Sequence, residues 1–150
     1  MIALSLVFPS CEEIDLNGGL VSYEEVDKRF EESMDWNALH PAREIMVPDS
    51  TYTIFSMGDS HVGGTKNFLA FLEEAKKGNA VALTLVGDLT TGQDNDYEGV
   101  ESMIQDNDSL AIFPMVGNHD LFFNGWEQFY SRLGSSTYSF TIKTPTASDL

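Results

Sequence analysis

Ala80-Val81-Ala82-Leu83-Thr84-Leu85-Val86-Gly87-Asp88 is the stretch on which the fold turns. Residues 80–86 carry a single hydroxyl and no charge, and the run stops at a glycine followed by a carboxylate. A strand with one wet face alternates apolar and polar residues, whereas a strand covered on both faces is apolar throughout. Residues 80–86 therefore read as a strand buried on both faces, with Asp88 drawn to the edge of the core.

The pattern repeats on either side. Tyr52–Met57 is β-prone and ends in Gly58-Asp59; Ala111–Val116 is a third strand, in which Pro114 predicts a bulge or an irregular position. Between and after these runs lie helical stripes. Phe68, Phe71, Leu72 and Ala75 form one, which Gly78 stops. Tyr97, Val100 and Ile104 form a second, with Asn95 and Glu98 placed as a capping box. Trp126, Phe129, Tyr130 and Leu133 form a third, capped by Asn124 and Glu127 and stopped by Gly134. Thr137–Ile142 alternates as a last strand. Upstream, Ser22-x-x-Glu25 opens a helix predicted from about Tyr23 to Met34, with Val26 and Phe30 on its stripe. His40-Pro41 and Pro48-Asp49-Ser50 mark a linker. Strands alternating with helices predict an α/β layered domain with parallel strands in its core, and ligands in such sheets gather beyond the carboxyl ends of the strands.

Composition narrows the partners. With 24 acidic and 8 basic residues the formal net charge is −16. Such a surface repels nucleic-acid phosphates and anionic lipid, so no nucleic-acid-binding surface is expected. A phosphate ester would need local positive charge, and bound metal ions are the obvious source. Cys11 is the only cysteine, which excludes a disulfide framework and a thiolate cluster. Ile2–Phe8 followed by Pro9-Ser10-Cys11 resembles the tail of a bacterial lipoprotein signal, with Cys11 as the lipidation candidate. That resemblance implies a lipid anchor in the bacterial cell envelope. The alternative is a frayed apolar N-terminus on a cytoplasmic protein.

The chemistry-bearing residues cluster at the three strand ends. Asp59 and His61 lie two apart after the first strand, and in extended backbone that spacing points both side chains one way. A carboxylate and an imidazole on one point suit zinc, iron or manganese. Asp88 has two oxygens and could bridge two ions. In Gly117-Asn118-His119-Asp120 an amide oxygen is a plausible hard ligand, and His119 beside it could face a phosphoryl oxygen. Alone, each motif is equally a capped polar turn. Three in this order, at three successive strand ends, are not.

Together these motifs resemble the first half of the metal site of calcineurin-like metallophosphoesterases, over roughly Tyr52 to Ile142 and in the wider bacterial phosphoesterase branch. The resemblance implies a layered α/β/β/α sandwich with a parallel or mixed core sheet, incomplete in this chain. It implies a metal-dependent phosphatase or phosphoesterase acting on a small-molecule phosphoester. By it, Asp59 and His61 hold a first metal, Asp88 bridges both, Asn118 holds the second, and His119 contacts the phosphate and assists departure of the leaving group. The family's metal-bound hydroxide attacks phosphorus in line, between ions about 3.5–4 Å apart.

Two departures follow from the same comparison. The family's later histidines, ending in Gly-His-x-His, have no counterpart, since no histidine follows His119. Asp88-Leu89-Thr90-Thr91-Gly92 also lacks the Asp-Arg-Gly ending of the protein Ser/Thr phosphatases. The expected organisation is a truncated lipoprotein-type signal and leader over 1–21, a helix and linker over 22–50, and the N-terminal half of the catalytic domain over 51–150. Activity is expected to need the missing half, and an open sheet edge would favour self-association. The alternative is an inactive fragment serving as a binding or interaction domain. His40 reads as structural or solvated. Asp94, Asp96, Glu98 and Gly99 match the start of an EF-hand loop, but position twelve is Gln105 rather than the bidentate Glu, and helix capping explains the acids better.

Overall fold

The computed structural model describes residues 24–61, 65–146 and 148–149. Cys11, the Ile2–Phe8 run and Ser22 lie outside the described residues. The elements run α1 (Val26–Leu39), β1 (Arg43–Met46), β2 (Ile54–Met57), α2 (Thr65–Lys77), β3 (Ala82–Val86), α3 (Asp94–Gln105), β4 (Ala111–Met115), a 3-10 segment (His119–Asn124), α4 (Gly125–Leu133), β5 (Phe140–Lys143) and β6 (Ser148–Asp149).

Two sheets form. The central one has the order β2-β3-β4 and is parallel throughout, with Leu83 level with Phe55 on one side and Ile112 on the other. The second has the order β1-β5-β6, with β1 parallel to β5 and β6 antiparallel to it. Alternation along β3 and β4 separates two cores. Leu83, Leu85 and Ile112 face Phe68 and Leu72 of α2, Tyr97 and Val100 of α3, and Trp126 and Phe129 of α4. Ala82, Ala111 and Phe113 face Ile45 of β1 and Phe140 of β5, and the Phe113 and Phe140 rings stack at 3.9 Å. The β3 run is thus apolar because helices cover one face and a second sheet covers the other.

Several local expectations change. Residues 40–50 are not only a linker, since Arg43–Met46 forms β1. Its exposed, exposed, half-buried, exposed pattern leaves one inward residue, Ile45, too weak a signal to read. Helix α1 runs to Leu39 because contacts distant in sequence hold its second half: Trp126 Nε1 donates to Glu32 at 2.6 Å and the Asn37 amide donates to the Thr137 carbonyl. His40 is exposed and stacks on Trp36 at 3.8 Å. Pro114 makes no bulge: β3 and β4 pair without a break, Leu85 opposite Pro114. The Pro114 carbonyl instead accepts the Tyr138 hydroxyl at 2.6 Å. That carbonyl points away from β3, so the missing N–H falls on the edge side, where no ladder bond is lost. Helix α3 starts at Asp94 after Gln93, without a side-chain cap from Asn95. Its continuous helix through Gln105 excludes an EF-hand loop. Asn124 does precede α4, but in a left-handed conformation and with no capping bond.

Candidate metal centre

Parallel pairing in register brings the carboxyl ends of β2, β3 and β4 to one edge, Met57 beside Leu85 and Val86 beside Met115. The three loops leave side by side. Gly87 has φ +73°, and a Cβ there would sit 3.0 Å from the Gly117 Cα. A Cβ on Gly117 would lie 2.2 Å from Asp88 Oδ1. These glycines let the second and third loops touch.

Asp59, His61 and Asp88 have φ of 53°, 33° and 50°. The extended geometry expected of Asp59-Ser60-His61 is therefore not what brings its side chains together. Two left-handed residues flank the buried Ser60, and the turn is pinned to the neighbouring loop: Asp59 N donates to the Gly87 carbonyl at 3.2 Å and His61 N to the Asp88 carbonyl at 3.0 Å. Left-handed non-glycine residues cost about 1–3 kcal/mol each and persist where surroundings impose them, which is commonly at functional sites. Three at one strand edge mark this one.

The outcome is a cluster. One ligand atom each from Asp59, His61 and Asp88 lies within 4.8 Å of the others. Asp59 is exposed and the other two are half-buried. No described lysine or arginine forms an ion pair with Asp59 or Asp88. Two carboxylates and an imidazole with no balancing side-chain cation are the donor set of a divalent transition metal, so the residues fit the ion the chemistry calls for.

The third loop adds two residues. His119 N donates to Asp88 Oδ1 at 2.9 Å, fixing that carboxylate's orientation, and the His119 ring lies 4.8 Å from the His61 ring at 82°. Asn118 is exposed immediately before it, at the start of the 3-10 segment. The fourth motif residue, Asp120, carried no role in the sequence but is fully buried. Its Oδ1 accepts from Thr90 N at 2.7 Å and from Thr90 Oγ1 at 2.8 Å, and its Oδ2 accepts from Gly117 N at 2.8 Å. Burial pushes the Asp120 carboxyl above its ordinary range, against the lowering pull of those donors. The sequence signal for it was only its adjacency to His119; nothing local shows that the fourth polar residue of a turn points inward.

The calcineurin-like phosphoesterase family model matches residues 52–146, more than half of the chain. The chain belongs to the calcineurin-like phosphoesterase family. The matched span runs from just before β2 to beyond β5 and takes in all three motifs; α1 and β1 precede it, although β1 pairs with β5 inside it. No curated protein and no solved structure matches the chain. Membership supports metal-dependent phosphoester hydrolysis as the general chemistry of the domain, and the Asp59, His61 and Asp88 cluster supplies a candidate site for the metal.

Proposed function

We propose that this domain hydrolyses a small phosphoester, with Asp59, His61, Asp88 and Asn118 as metal ligands and His119 as the group that meets the phosphate. The observation that carries the reading is the approach of Asp59, His61 and Asp88 to within 4.8 Å at the strand ends. Bound divalent ions of the manganese, iron or zinc type supply positive charge for phosphoryl oxygens and a water acidic enough to attack at neutral pH. In a chain of net charge −16 they also offset the field that repels an anionic substrate.

Each residue then has a task. Asp59 and His61 would hold an ion through one oxygen and one nitrogen. Asp88, its carboxylate oriented by the His119 amide, would hold the same ion and serve a second as well. Asn118 would offer an amide oxygen to that second ion. The His119 ring, beside His61, binds a phosphoryl oxygen and holds a proton for the departing alkoxide or phenolate. Among the described residues the clustered donors suffice for one ion. A second ion would draw further ligands from residues other than these.

The test is metal content together with turnover. Protein loaded with Mn2+ is expected to hold at most one ion per chain through Asp59, His61 and Asp88, and Asp88→Ala to lose it. Two stoichiometric ions would contradict this assignment. Metal-dependent hydrolysis of an aryl phosphomonoester or diester by the loaded protein is the expected activity. Metal bound without turnover would instead mark a binding module. Cell-envelope attachment through Cys11 and self-association are further proposals of the same kind. The second is supported by β2, an edge strand whose Ile54 is 39% exposed. Incorporation of labelled fatty acid that Cys11→Ser abolishes tests the first, and sedimentation tests the second. Among the described residues no helix is long and apolar enough to cross a membrane.

A further inference from the structure

Two aspartates, Asp88 after β3 and Asp120 after β4, accept bonds from each other's loops. Asp88 Oδ1 accepts the backbone N–H of His119, and Asp120 Oδ1 accepts the backbone N–H and the hydroxyl of Thr90. Asp88 is half-buried and belongs to the metal cluster; Asp120 and Thr90 are both 0% exposed and reach nothing a substrate could touch. The Asp120 backbone is held as well, since its carbonyl accepts the Tyr97 hydroxyl from α3 at 2.5 Å. Thr90 is itself fixed, accepting Gly92 N–H on Oγ1 at 3.0 Å.

A buried carboxylate is costly unless donors surround it, and here three donors converge on it. Burial of that kind, retained in a polar turn, needs a reason beyond solvation. Asp120 lies one residue after His119 and two after Asn118, and Thr90 lies two after Asp88. A bond between Asp120 and Thr90 therefore fixes the separation of the two loops from behind, while the Asp88–His119 bond fixes it from the front. With both bonds made, Asp88 and the Asn118-His119 pair cannot slide past one another along the sheet edge.

We propose that Asp120 and Thr90 are positioning residues that set the register between Asp88 and the Asn118-His119 pair, and so tune the affinity and geometry of the metal centre without touching it. This rests on the metal-site reading above. Ligand geometry displaced by a few tenths of an ångström weakens binding, and supporting residues of this kind are typically worth 10–100-fold in affinity.

The experiment titrates the whole chain with Co2+ alone, reading visible absorption for geometry and midpoint for affinity, with far-UV circular dichroism and a thermal melt confirming the fold. Thr90→Val removes the hydroxyl, both as donor to Asp120 and as acceptor of the Gly92 N–H, and is expected to bind Co2+ at least fivefold more weakly with an altered absorption band. Thr90→Ser, which restores the hydroxyl, is expected to recover both. Tyr97→Phe removes the hydroxyl that bonds the Asp120 carbonyl and also meets the Thr90 side chain, and is expected to weaken binding about twofold; it serves should Thr90→Val fail to fold. The proposal is overturned if every folded variant binds with the wild-type midpoint and spectrum. Wild type that shows no Co2+ absorption at all overturns it together with the metal-site reading, which separates the two failures.

Discussion

The loops after β3 and β4 and the loop after β2 meet at the same strand ends but are held in different ways. Between the first two run three hydrogen bonds that all end on carboxylate oxygens: His119 N to Asp88, and Thr90 N and Oγ1 to Asp120. The β2 loop is held to the β3 loop by bonds that all end on neutral carbonyls: Asp59 N to Gly87, His61 N to Asp88 and, at 3.4 Å, Ser60 Oγ to Leu89. Bonds to ionised acceptors are roughly twice as strong as neutral ones. Their settings differ too, Asp120 being fully buried and Asp59 exposed. One side of the centre is therefore built before any ion arrives, and the other is steered by backbone and left free at its side chain. On the proposed reading, the built flank would fix where an ion sits, and the exposed Asp59 would adjust to it.

Substitutions that break the built side are expected to show in folding itself. Asp120→Ala strips acceptors from the Thr90 amide and hydroxyl and the Gly117 amide, leaving donors next to a void. Each buried unsatisfied group costs about 1–3 kcal/mol, so a loss of about 3 kcal/mol or more in urea unfolding is expected, with m unchanged. A loss under about 1 kcal/mol would show that water replaces the carboxylate and that the two flanks are held alike. Next in size is the ion itself. Mn2+ at a hundredfold its dissociation constant should stabilise the wild type by about 2.7 kcal/mol, and a chelator should reverse it. Gly117→Ala follows. Its methyl would stand 2.2 Å from Asp88 Oδ1 and 2.3 Å from Asp88 N, so the loops must part. Overpacking of this sort costs about 1–3 kcal/mol, and here it should also weaken metal binding.

The two flanks were not equally legible in the sequence. The β3 run, the helical stripes of α2, α3 and α4 and the three motifs could be read because each is a local pattern, set by residues within one turn or one strand of each other. β1 could not, since its partner Phe140 lies 97 positions beyond Arg43 (140 − 43) and only Ile45 among its four residues turns inward. Ligand identity in the β2 loop was visible as Asp-x-His, but not the left-handed turn that makes its side chains converge. That turn depends on carbonyls of Gly87 and Asp88 presented by another strand. Asp120 failed for the complementary reason: turn chemistry explained it adequately, and its inward direction arises from Thr90, thirty positions earlier.

The smallest effect is the most discriminating, because its sign differs from that of the other substitutions. Asp59 crowds a second carboxylate, Asp88, and a described cation balances neither. Without metal that arrangement is a repulsion built into the fold, weak because Asp59 is exposed and water screens it. Asp59→Asn keeps the shape, tolerates the left-handed backbone as well as Asp does, and removes one charge. In metal-free protein it should leave stability unchanged or raise it by a few tenths of a kcal/mol, as substitutions at strained functional sites often do. On adding Mn2+ the order should invert, the wild type gaining stability and Asp59→Asn gaining little. Parallel urea titrations with chelator and with Mn2+ read both halves. Should Asp59→Asn instead destabilise the metal-free protein by more than about 1 kcal/mol, Asp59 would belong to the scaffold as Asp120 does, and the contrast between the flanks would collapse.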